Sequence, residues 1–171
     1  MLGPPTRQTR AATERRRSSW HGLGVTDRPE KDGIGVFLDD VVYAFADISV
    51  VSLPVLYLVM AGDRPGFYGV KTSILVVWMA TVLVAALIRG GWITPLGSGV
   101  PGWVSLTPVL VAARLPYYNA TFAGCAYLTG FVLELTRYHV LSILLPAAVG
   151  GVAIAAFPAV ADRVYALVVG E

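Results

Sequence analysis

The apolar residues of this chain fall into long runs broken by short polar punctuation, a pattern of spanning helices and not of half-buried periodic stripes. The first run is Val41 to Ala61, VVYAFADISVVSLPVLYLVMA. At about 1.5 Å per residue it matches roughly the 30 Å of a bilayer's hydrocarbon core. Pro54 should kink it by freeing the carbonyl of Val50, and the turn formers and charges of Gly62-Asp63-Arg64-Pro65-Gly66 end it. The second run, Thr72 to Ile88 (TSILVVWMATVLVAALI), carries no charge between Lys71 and Arg89, whose long stems can reach the headgroups. It is rich in β-branched residues, yet too long for an ordinary strand.

Leu115 to Leu135 (LPYYNATFAGCAYLTGFVLEL) is the third and most polar span, with Tyr117 and Tyr118 suited to one headgroup level and Glu134 near the other. The fourth is Val140 to Phe157 (VLSILLPAAVGGVAIAAF), ended by Pro158 and followed by a short surface helix over 159–169. Only Thr136 to His139 separate spans three and four, which predicts an antiparallel hairpin. Between spans two and three lies the Gly- and Pro-rich loop GGWITPLGSGVPGW, then VSLTPVLVAAR, residues 104–114. That apolar piece has the length of an interfacial or re-entrant segment; if it crosses fully, every later assignment inverts.

Residues 1–35 are dense in Pro, Gly, Ser, Thr and charge and contain no run able to offset ordering entropy, so they read as a disordered basic tail. Arg15-Arg16-Arg17 stand too far from the first apolar run for a secretory signal. The expected architecture is therefore all-α and polytopic: four transmembrane helices in a small bundle over residues 36–171, behind the tail.

Composition agrees: 56% of residues are hydrophobic and 14% charged, against roughly 25% charged in soluble domains. A net charge of +2, with the basic residues gathered in the tail, gives no reason to expect a nucleic-acid partner. The expected partners are the lipid bilayer and a second copy or another membrane protein. Close to the membrane, Arg28, Lys31, Arg89, Arg114 and Arg163 stand against Arg64, Lys71 and Arg137, which favours a cell-membrane protein with its N-terminus cytoplasmic. Cys125, the lone cysteine, lies in an apolar run and reads as a packing residue.

Asp47 is the sharpest candidate for chemistry, because an acid inside a span costs about 2.5 to 3.5 kcal/mol on insertion scales. Asp39 and Asp40 precede it, so an interfacial acidic face is the rival reading. Asn119 and Glu134 could join Asp47 in a polar or ion path. Glu134 and Arg137, spaced i,i+3, suggest an ion pair, and Asn119-Ala120-Thr121 matches a glycosylation sequon. Ala147, Gly151 and Ala155 on span four, and Ala120 with Gly124 and Ala126 with Gly130 on span three, repeat at four-residue spacing and suit close helix approach, within the chain or between copies. Gly97-Ser98-Gly99 lacks a nucleophile-elbow pattern, and no phosphate, dinucleotide or metal motif occurs, so neither a cofactor nor a metal site is expected. The leading expectation is a non-enzymatic scaffold or accessory subunit of a membrane complex. The alternative is a small transporter or channel subunit passing protons or ions along Asp47, Asn119 and Glu134.

Overall fold

The computed structural model describes residues 6–8, 32–62 and 69–170. Four α-helices follow one another: α1 (Gly33–Ala61), α2 (Val70–Arg89), α3 (Pro108–Thr136) and α4 (Leu141–Val169). The all-α, four-helix architecture is the expected one. Of the four, α1, α2 and α4 are long and apolar enough to cross a membrane.

Their boundaries follow local chemistry. Asp32 caps α1, its carboxylate accepting the Gly35 N–H at 2.8 Å, so the helix starts eight residues before the apolar run and takes Asp39 and Asp40 into its first turns. Pro108 opens α3 at a position where its missing N–H costs nothing. Residues 108–114 are consequently the first turns of α3, and the separate interfacial or re-entrant segment expected at 104–114 does not exist as such. Arg137, at φ 57°, ends α3 in a left-handed turn.

Pro158 does not stop α4, which runs on to Val169 in place of the separate surface helix expected over 159–169. Pro158 releases the carbonyl of Ile154, and the carbonyls on either side of that one take donors from outside the helix. Tyr117 Oη donates to Ala153 O at 2.7 Å, and the Leu96 N–H donates to Ala155 O at 2.8 Å. Pro146 likewise leaves the Ser142 carbonyl without its helical donor, and Ser73 Oγ lies 3.3 Å from it.

The helices alternate in direction. α2 and α3 touch each other and both outer helices, whereas α1 and α4 share no contact among the described residues. The section is thus a rhombus with α2 and α3 across its short diagonal. At the end where α1 and α3 begin, the space between α1 and α4 is filled by the 90–107 loop, with Trp103 and Val104 fully buried. Thr6 to Gln8 are laid against that loop through an isolated antiparallel bridge, Arg7 to Val104. These three residues are ordered, against the expectation for residues 1–35; the rest of that stretch up to Lys31 lies outside the described residues.

The buried faces repeat at i,i+4, as Asp40, Ala44, Ile48 and Ser52 do on α1. Large apolar side chains such as Val42, Leu53, Leu58, Leu144 and Leu167 point outward, where lipid suits them and water does not. The close approach between α2 and α4 falls at Gly150, not at Gly151: a Cβ on Gly150 would sit 2.3 Å from Val77 Cγ2, whereas one on Gly151 would meet Val84 at an ordinary 3.7 Å. Of the small-residue stripe on α4, Ala155 is buried, while Ala147 and Gly151 lie beside the buried row of Ser142, Pro146, Gly150 and Ile154. On α3, Ala126 and Gly130 are buried while Ala120 and Gly124 are exposed. Gly150→Ala should destabilise the bundle by about 1 to 3 kcal/mol through overpacking, and Gly124→Ala should leave it unchanged or slightly more stable. Thermal unfolding in detergent, followed by helical circular dichroism, distinguishes the two.

Candidate functional site

Asp47 lies well inside α1, with its side chain 6% exposed. Its partner comes from α3: Arg114 Nε stands 3.1 Å from Asp47 Oδ1, and the guanidinium is completely buried. The Trp103 indole N–H donates to Asp47 Oδ2 at 2.9 Å. Arg114 spends its remaining nitrogens on the loop, donating to Val104 O at 2.8 Å and Ser105 O at 3.2 Å. Each guanidinium nitrogen is thus matched to an oxygen, the condition under which a buried charge pair is tolerated. Phe157 completes the packing, 5.9 Å below the Arg114 guanidinium and within ring contact of Trp103, Tyr117 and Tyr118.

Two further ion pairs lie at the same end of the bundle. Arg89, the last residue of α2, reaches back to Asp40 on α1 and stacks over the Tyr43 ring at 3.9 Å. Arg7 pairs with Asp162 of α4 at 2.6 Å. Burial lowers the Arg7 pKa from the usual guanidinium value, and the neighbouring Asp162 carboxylate opposes that shift.

Asn119 sits deeper. Its Oδ1 accepts the Val55 N–H at 3.1 Å and its Nδ2 donates to Val51 O at 2.9 Å. Those two backbone groups would pair with each other in an unbroken helix; next to Pro54 the amide of Asn119 bridges them, as an inserted side chain does at a helix kink. The sequon asparagine is therefore held inside the bundle. Glu134 is exposed at the opposite end and makes no ion pair with Arg137, because α3 ends at Thr136 and the left-handed Arg137 leaves the shared helix face. Asp47 and Asn119 thus share the α1–α3 interface, while Glu134 stands apart from both.

Arg114, Trp103, Arg7 and Asp162 complete the site and were not singled out by pattern. One signal pointed to Arg114: a buried acid calls for a base, and Arg114 stands at the edge of an apolar run. Arg7 carried no local signal at all. Among the described residues, no three of His, Cys, Asp and Glu converge as metal ligands. An open groove of ≈ 630 Å³ beside Phe37, Leu87 and Trp92 presents one carboxylate, Asp32, which already caps α1.

The family model described as "Domain of unknown function (DUF8215)" matches residues 31–164. The chain belongs to this family. The matched region of this DUF8215 member takes in Asp40, Asp47, Arg89, Arg114 and Asp162, and begins after Arg7. No curated protein and no solved structure matches the chain.

Removing one charge of the central pair strands the other. Asp47→Ala or Arg114→Ala should cost about 3 to 5 kcal/mol, and Asp47→Leu combined with Arg114→Met should recover much of that loss. Unfolding free energies in a mixed-micelle SDS titration test this; additive single losses in the double variant would contradict the pairing.

Proposed function

We propose that this DUF8215 protein is a non-enzymatic scaffold or accessory subunit of a cell-membrane complex. The observation that carries the reading is that Asp47 and Asn119, the candidate path residues inside the bundle, are held by the bundle itself, although the buried Tyr118 hydroxyl has no hydrogen-bond partner among the described residues. Asp47 is held by Arg114 and Trp103, Asn119 by the backbone of α1, and the buried hydroxyls of Ser52 and Thr129 by carbonyls of their own helices. What remains for interaction is the outer surface. There Ala120 and Gly124 expose a smooth face of α3 that suits the close approach of a partner helix or a second copy.

Crossing by α3 as well belongs to this reading. At 29 residues it exceeds the hydrocarbon thickness, and its low hydropathy comes partly from residues with internal partners, Arg114, Asn119 and Thr129. Both ends of the chain then lie on one side, which the distribution of Lys and Arg makes the cytoplasmic side.

The alternative, a small transporter or channel subunit passing protons or ions along Asp47, Asn119 and Glu134, has the burial of Asp47 in its favour. Against it, Glu134 is exposed and remote, and Asn119 is committed to α1. In liposomes under a pH gradient, the purified protein should leak protons no faster than empty vesicles, and Gly124→Ile should abolish partner recovery or self-association without lowering the melting temperature. A proton leak abolished by Asp47→Asn would favour transport instead.

A further inference from the structure

The two helices that do not touch each other are joined by three residues. Gln8 Nε2 donates to Tyr43 Oη on α1 at 2.9 Å, and Arg7 reaches α4, where it donates to Pro158 O at 2.8 Å and to Asp162. The backbone between them is extended and pairs with the loop: the Gln8 N–H donates to Trp103 O at 2.7 Å and the Ser105 N–H to Thr6 O at 3.0 Å. An added strand with one side chain in a pocket is a peptide-recognition mode in which main-chain bonds supply affinity and the pocket supplies specificity. We propose that the slot between α1 and α4 is a binding site for an extended, arginine-bearing peptide segment, filled here by the chain's own Thr6–Gln8.

The pocket has the chemistry that a guanidinium requires. Ser98 Oγ lies 3.0 Å from Arg7 Nη2, beside the Pro158 carbonyl and the Asp162 carboxylate, so three oxygens gather around one nitrogen of the buried Arg side chain, while Nη1 stands 3.5 Å from Thr6 O.

The slot also differs from the central pair in what its emptying would leave behind. Asp47 is 6% exposed and would be stranded dry if Arg114 left. Asp162 is 36% exposed and keeps a contact to Ser98 Oγ at 3.3 Å, so water can take over from Arg7 without burying a bare charge. Thr6 and Arg7 are buried against the loop residues Trp103 and Val104, so their departure opens a gap that another extended segment can fill. The contact is built to be reversible, and the tail competes with any other segment of the same chemistry. This holds whether or not the protein serves as a scaffold.

The test uses the full chain and a fluorescent peptide of residues 1–12. Arg7→Ala chain should bind the peptide saturably, while wild-type chain, whose own segment fills the slot, should bind it at least about tenfold more weakly, as occupancy by a competitor requires. Adding Asp162→Asn to the Arg7→Ala chain, or replacing the arginine at position 7 of the peptide with alanine, should abolish binding. Equal binding to both chains, binding to neither, or equal binding of the alanine peptide would overturn the proposal. Thiol alkylation supplies a second readout that does not depend on the peptide. A Thr6→Cys chain should be protected, and Arg7→Ala should speed its labelling by about tenfold or more if the segment is held chiefly through that side chain. An unchanged rate would count against it.

Discussion

A carboxylate and a guanidinium can lie side by side in a membrane bundle only when nearly all their remaining hydrogen-bonding capacity is met, and the arrangement at one end of this molecule follows from meeting it. Arg114 uses Asp47 for one edge and the carbonyls of Val104 and Ser105 for the rest. Those carbonyls must therefore come to the guanidinium, which draws the 90–107 loop down between α1 and α4. Trp103 then arrives beside Asp47, donates its indole N–H, and brings its ring against Phe157 of α4. One buried pair thereby ties together α1, α3, α4 and a loop that would otherwise lie on the surface.

The same accounting governs the backbone. Prolines inside spanning helices leave carbonyls without donors, and lipid supplies none. Near Pro54 the amide of Asn119 bridges the opened rung, near Pro146 the hydroxyl of Ser73 approaches Ser142 O, and around Pro158 Tyr117, Leu96 and Arg7 take carbonyls of α4. Asn119, one of the polar side chains that suggested a path for ions, is in this light bound to the backbone beside a helix breaker.

A gradient of wetness runs through the charged layer. The Asp47–Arg114 pair is dry and permanent, whereas the Arg7–Asp162 pair has one half-exposed partner and a slot that can be refilled. Stability and recognition are in this way assigned to neighbouring ion pairs by burial alone.

By itself the sequence determined the solvent and the class of fold. Hydropathy adds up locally, so runs such as Thr72 to Ile88 declare a helix in lipid whatever surrounds them, and the tight link after Thr136 fixes two helices as antiparallel neighbours. Tertiary structure decided what touches what. Asp47 and Arg114 are 67 residues apart and Arg7 and Asp162 are 155 apart, distances over which no periodicity carries information. Pro158 looked like a stop because the contacts that surround α4 there come from elsewhere in the chain, and the contact glycine was displaced from Gly151 to Gly150 because a helix rotates by about 100° per residue, so the buried row depends on how the neighbouring helix is set. Whether a stretch prefers oil is a property of that stretch; which of its atoms find partners is a property of the whole bundle.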